Sequence, residues 1–155
     1  MNRKITRTVF VTTCLVVTMF GVAAGQCSTA ATAGKWAYTY TGTIFTPSGP
    51  LPVASVGHFS QDAAGNLTGT QTRSVAGSSG VDDISGTVSV NKDCTGTATI
   101  SVFVNGELQR TAVLAVAFDS NMNHARGIFK SLVLPNGTNV PVVITSDDAR
   151  VFPRD

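Results

Sequence analysis

From Lys35 onward, apolar and polar side chains alternate with a period of two. Trp36, Tyr38, Tyr40 and Ile44 share one side of the segment, and Lys35, Thr39, Thr41 and Thr43 share the other. This is the pattern of a strand with one buried face. Hydroxyl-bearing faces recur at Thr68, Thr70 and Thr72 and at Thr95, Thr97 and Thr99; on a sheet such ladders are read as a water-facing side rather than a flat ligand- or ice-facing surface. Runs rich in β-branched and aromatic residues place candidate strands at 35–45, 56–61, 67–75, 83–90, 95–104, 108–118, 125–134 and 140–145, with a closing segment at 149–152. No segment sustains a helical period with caps, although 111–118 alone could be mistaken for a buried helix.

The joins between these runs set the topology. Asn105-Gly106 and Asn136-Gly137 are pairs that accept positive φ, and each lies between two β-rich runs, so both predict hairpins. Residues 62–66, 91–93 and 119–121 are short turn-prone joins, and 47–52 is the longest irregular stretch. Short joins in series predict an antiparallel meander. Gly42, Gly69, Gly86 and Gly96 each sit inside a strand between hydroxyl residues, at spacings too unequal for a solenoid. Recurrent strand glycines are what a coiled sheet needs in order to close. The expected fold is therefore all-β, an eight-stranded antiparallel meander closed into a small barrel. The rival is an immunoglobulin-like β-sandwich, since Cys27, Trp36 and Cys94 follow in the order Cys, Trp, Cys. Against it, Cys27 precedes any credible strand, and Lys92 stands where the tyrosine corner belongs.

The first residues change the picture of where the chain works. Asn2, Arg3, Lys4 and Arg7 precede an apolar run, 9–24, that ends in the small residues Ala23, Ala24 and Gly25. This reads as a cleavable signal peptide over 1–25, with a small polar lead-in at 26–33 and one β-barrel domain over 34–155. The apolar run is shorter than the roughly 20 residues of a membrane span, so no span is expected after cleavage and the protein is placed as secreted or periplasmic. Without the signal, eight Lys and Arg face nine Asp and Glu, a formal charge of −1. No basic stripe remains to neutralise phosphates, which argues against nucleic acid as a partner. Cys14 leaves with the signal, and Cys27 and Cys94 are expected to form a disulfide. The alternative for Cys27 is lipidation, which Gln26 opposes by standing where a lipobox has a small residue.

Candidate chemistry is sparse. His58 and His124 are the only histidines and neither has a partner at metal-ligand spacing, so no metal or cofactor is expected. No nucleophile elbow or phosphate loop occurs, and no catalytic residue is assigned. Asp82-Asp83 and Asp147-Asp148 are adjacent acidic pairs, expected to be solvated at turns or strand ends. Arg73, Arg110 and Arg126 fall inside strands; pointing inward they would need partners and mark a polar ligand site. For Arg73 the expectation is that it faces water.

At Gly34-Lys35-Trp36 a Gly-x-Trp opens the first strand of the meander, and together these features resemble the lipocalin-like, or calycin, barrels. Ala117-Phe118-Asp119 is loosely similar to that family's Thr-Asp-Tyr motif. The resemblance implies that Trp36 plugs one end of the barrel beneath an arginine from late in the chain, for which Arg150 is best placed, so that Gly34, Trp36 and Arg150 are structural. The stretch 59–69, with its Gly65-Asn66 turn, also looks like the small barrels related to allene oxide cyclase, whose catalytic residues are not placed on this chain, so that no activity is carried over. The expected ligand-binding set is Tyr38, Tyr40, His58, Phe59, Arg73, Arg126 and Phe129. The expected function is an exported barrel that binds a small apolar molecule. The alternatives are a surface-interaction module with a solid core, or an isomerase- or cyclase-type enzyme using His58, Arg73 or Arg126.

Overall fold

The computed structural model describes residues 27–151. Eight strands follow in order: β1 (Gly34–Thr46), β2 (Gly49–Gln61), β3 (Asn66–Val75), β4 (Ser78–Val90), β5 (Thr95–Val104), β6 (Glu107–Phe118), β7 (His124–Val133) and β8 (Val142–Arg150). Each pairs antiparallel with the next, and β8 returns to pair with β1 from Trp36↔Arg150 to Ile44↔Val142, closing the barrel. The expected signal peptide and its cleavage point lie outside the described residues, as does the end of the predicted closing segment at Phe152.

Closure turns the period of two into an inside and an outside. Trp36, Tyr38 and Tyr40 enter the core with Val53, Leu67, Ile84, Val88, Ala98, Val102, Leu114, Leu132 and Ile144. At Gly42, Gly69 and Gly86 a β-carbon would stand 2.1 Å from a carbonyl oxygen of the neighbouring strand, so at these points the coiled sheet leaves no space for any side chain.

Three strand limits differ from the sequence expectation. β2 begins at Gly49, so the 47–52 stretch shrinks to a turn at Pro47-Ser48. Pro50 and Pro52 are tolerated because β2 runs past β3 there: β2–β3 pairing starts only at Val53, and the missing N–H groups have no ladder bond to make. β4 begins at Ser78, because Ala76 and Gly77, both at positive φ, complete the turn unaided. Ser78-Ser79-Gly80, whose small-residue composition reads as a loop between the candidate strands 67–75 and 83–90, is thus strand. Around Asn136-Gly137 the chain folds back on the end of β7, with Leu134 N–H donating to Thr138 O at 2.9 Å and an isolated bridge at Val133↔Asn139, and only then enters β8. That strand runs unbroken through Asp147-Asp148.

One end of the barrel is sealed by the lead-in. Cys27 is bridged to Cys94 across 67 residues, with Cα atoms 5.1 Å apart, within the ordinary range. A 3₁₀ turn at Thr29–Thr32 then crosses the end of the barrel. Its Thr32 carbonyl accepts the Trp36 indole N–H at 2.9 Å. The Arg150 guanidinium lies 4.8 Å over the Trp36 ring and donates to the carbonyls of Ala31, Ala33 and Met122. Gly34, at φ 143°, is required at this point: a β-carbon would lie 2.4 Å from Arg150 Nη1. Phe59 stacks on Trp36 and Phe118 meets it edge-on, each at 6.2 Å.

For a loop of 67 residues the chain-entropy account gives the disulfide about 4 kcal/mol of stabilisation. A Cys27→Ser, Cys94→Ser double variant should lose stability of that order in urea unfolding. A loss below about 1 kcal/mol would mean that the seal holds without the bridge.

Candidate functional site

The interior is not filled. A cavity of about 90 Å³ lies within the barrel, walled by Tyr40, Ile84, Ala112, Leu114, Phe129 and Leu132 among others, with Trp36, Phe59 and Phe118 toward the sealed end. Polar groups from five strands also reach it: Tyr38 (β1), Gln61 (β2), Gln71 (β3), Arg110 (β6) and both Ser146 and Asp148 (β8), with Asp82 (β4) behind Gln71 and Arg110.

Strand parity explains how charged residues come to lie inside an apolar barrel. On β4, Asp82 precedes the inward Ile84 by two residues, and on β8 Asp148 follows Ile144 and Ser146 at the same spacing, so both carboxyls point inward. Asp82 is 1 % exposed and collects three partners. Arg73 Nε donates at 2.9 and 3.0 Å, Arg110 Nη2 at 2.9 Å and Gln71 Nε2 at 2.9 Å. With its amide N–H₂ on this carboxylate, Gln71 turns its oxygen to accept the Tyr38 hydroxyl at 2.9 Å and the Ser55 hydroxyl at 3.3 Å. One continuous network therefore runs from Tyr38 to the two arginines.

The electrostatics of the two acids differ in sign. Burial pushes the Asp82 pKa up, but the hydrogen bonds from Gln71 and Arg110 and the charges of Arg110 and Arg73 outweigh it and hold the group below its ordinary value. The stability this pairing supplies is present above the ordinary carboxylate range and is lost as pH falls through the depressed value. Asp148 has no such support. Burial pushes its pKa up to about 6, the Ser146 hydroxyl at 2.9 Å opposes that, Asp147 adds to it, and His124 opposes it. The Tyr38 hydroxyl is pushed up as well, chiefly by burial and then by Tyr40, Asp148 and Asp82, so it remains a donor at physiological pH.

Of the residues singled out from the sequence, Tyr38, Tyr40, Phe59 and Phe129 line the cavity. Arg73 is a correction: it turns inward onto Asp82 rather than to water. His58 and Arg126 are also corrected. His58 is exposed between the inward Gly57 and Phe59, and the Arg126 side chain is 78 % exposed on the outer face, 3.7 Å from Asp147. Parity forbids either from sharing the cavity with its inward neighbours. His124 likewise lies outside, 2.9 Å from Asp147. The two acidic pairs do not sit at turns; each sends one carboxyl inward and one outward. Gln71 and Ser146 carry no local signal in the sequence, and Asp82 and Asp148 stand out there only as members of the acidic pairs, although counting twos from Ile84 and Ile144 points both acids inward. Among the described residues no three His, Cys, Asp or Glu side chains gather into a metal-ligating group.

Burial of the Asp148 carboxyl makes stability depend on pH. A carboxyl that titrates near 3.8 when unfolded and near 6 when folded binds its proton more tightly in the folded state. Stability therefore falls as pH rises from about 4 to above 6, by up to about 3 kcal/mol. Asp148→Asn should be more stable than the parent at pH 8, with the difference vanishing near pH 4, in urea unfolding at both values. An Asn variant that is no more stable at pH 8 would show that the carboxyl is solvated.

Comparison of the chain with protein-family models, with curated proteins and with solved structures finds no match, so its function has to be read from the barrel's own interior chemistry.

Proposed function

We propose that this chain is an exported, lipocalin-like binding barrel that takes a small, largely apolar molecule with one polar end into its interior. The observation that carries this reading is the unfilled cavity of about 90 Å³, apolar over most of its wall, with Tyr38, Gln71, Arg110 and Asp148 reaching into it. Ligand sites combine apolar walls with a few placed polar groups in this way. The size sets a limit. An apolar cavity of roughly 150 Å³ takes up benzene, so the buried part of the ligand is a short chain or small fragment, and a fatty acyl chain is too large. Trp36 beneath Arg150 at 4.8 Å supports the family resemblance, and the Cys27–Cys94 bridge supports an oxidising compartment outside the cytosol.

A hollow barrel and a solid one respond oppositely to added volume. Ala112 lines the cavity and is 3 % exposed. In a hollow barrel Ala112→Leu fills space, so stability is kept within about 1 kcal/mol and uptake of small probes such as butan-1-ol, followed by NMR titration, is lost. In a solid core the same change would cost about 1–3 kcal/mol through overpacking, and that loss, with no probe uptake by the parent protein, would contradict the binding reading.

A further inference from the structure

Among the described residues two charged side chains line the cavity, and only one has an opposite charge in contact. Arg110 is paired with Asp82 at 2.9 Å, and Asp82 is shared with Arg73. Asp148 forms no salt bridge among the described residues, and the one hydrogen bond to its carboxyl there comes from Ser146. A buried carboxylate in low-dielectric surroundings is costly until a cation or further donors reach it.

The surroundings of Asp148 show where such a cation would come from. Tyr38 stands directly opposite on β1, but its hydroxyl is committed to Gln71. Ala125 faces Asp148 from β7 and has no polar side chain to offer. On the outer face, His124 is turned to Asp147, and Arg126 lies near the same carboxylate. Two residues along the inner face, Arg150 is directed to the carbonyls of the seal. Arg110, across the cavity, is held by Asp82. The open approach to Asp148 is thus from the cavity itself, whose walls include the aromatic rings of Tyr38 and Tyr40. Aromatic rings attract a cation that reaches their faces.

We propose that Asp148 is the anchor for the ligand's polar end, and that this end is a small protonated amine carried on a short apolar chain. The inference rests on the cavity being a binding site and adds the chemical class of what enters it. The ammonium donates to the Asp148 carboxylate, and its chain occupies the apolar space beside Leu114 and Phe129. An anionic head group would meet Asp148 unfavourably, and a neutral one would leave the carboxylate uncompensated.

The test uses the disulfide-bonded barrel and three probes of one size: butylammonium, butan-1-ol and butanoate, each titrated at pH 7.5 and followed by amide chemical shifts. Butylammonium is expected to bind at least tenfold more tightly than butan-1-ol. In Asp148→Asn this preference should fall to within about twofold with butan-1-ol still bound, and the dispersed amide spectrum of the parent should be kept, which shows that the variant is folded. Equal affinities in the parent protein, a preference for butanoate, or an amine preference that survives in Asp148→Asn would each overturn the assignment while leaving the binding cavity standing. Binding of none of the three would remove the cavity reading together with it.

Discussion

Closure of the sheet on itself is the constraint from which the rest follows. β8 pairs with β1 from Trp36↔Arg150 to Ile44↔Val142, and from that point every second residue of every strand must fit a space whose width is fixed by the strand number. Glycines resolve the crowding where the coiled strands approach most closely, as at Gly42 and Gly69. The sealed end depends on the same pairing. Trp36 and Arg150 are cross-strand partners, so the cation lies over the indole because closure brings the two strand ends together. Without that closure the lead-in would have no end to cover.

Closure also brings polar side chains inside. Asp82 lies inward on β4 and would be prohibitively costly there alone. Arg73, Arg110 and Gln71 converge on it from β3 and β6. That network holds Tyr38 in place through Gln71 and leaves Arg110 on the cavity wall. Among the described residues Asp148 has no such convergence and its carboxyl keeps only Ser146. The contrast between a compensated and an uncompensated carboxyl in one interior is the clearest chemical asymmetry in the barrel. Uncompensated interior charge costs stability, and a group retained at that cost marks a candidate functional site.

Much of this architecture could be read from the residues. Alternation through Trp36, Tyr38 and Tyr40 and the Asn105-Gly106 turn announced an antiparallel meander, and strand glycines announced its closure. The order of strands followed from the same reasoning, and the Cys27–Cys94 pairing from the cysteine count outside the expected signal peptide. The site was less legible because its hydrogen bonds join residues far apart in sequence, Tyr38 to Gln71 and Arg110 to Asp82, and nothing local announces such pairings. Two local misreadings concealed the acids. Ser78-Ser79-Gly80 has the composition of a loop, which moved the start of β4 to the wrong side of Asp82, and splitting β8 put Asp147-Asp148 at a strand end. Taking β4 and β8 at their true lengths makes parity alone sufficient to send both carboxyls inward. The same parity excludes His58, whose neighbours Gly57 and Phe59 already claim the interior.

The central claim is that the barrel interior holds accessible empty space rather than a packed core. Its most direct test is diffraction from crystals equilibrated under xenon, an apolar atom that enters cavities without needing a hydrogen-bond partner. The account predicts an ordered xenon atom inside the barrel against Leu114, Phe129 and Ala112, with little movement of the surrounding strands. An interior without xenon, and with side chains meeting across the barrel at van der Waals distance, would contradict it.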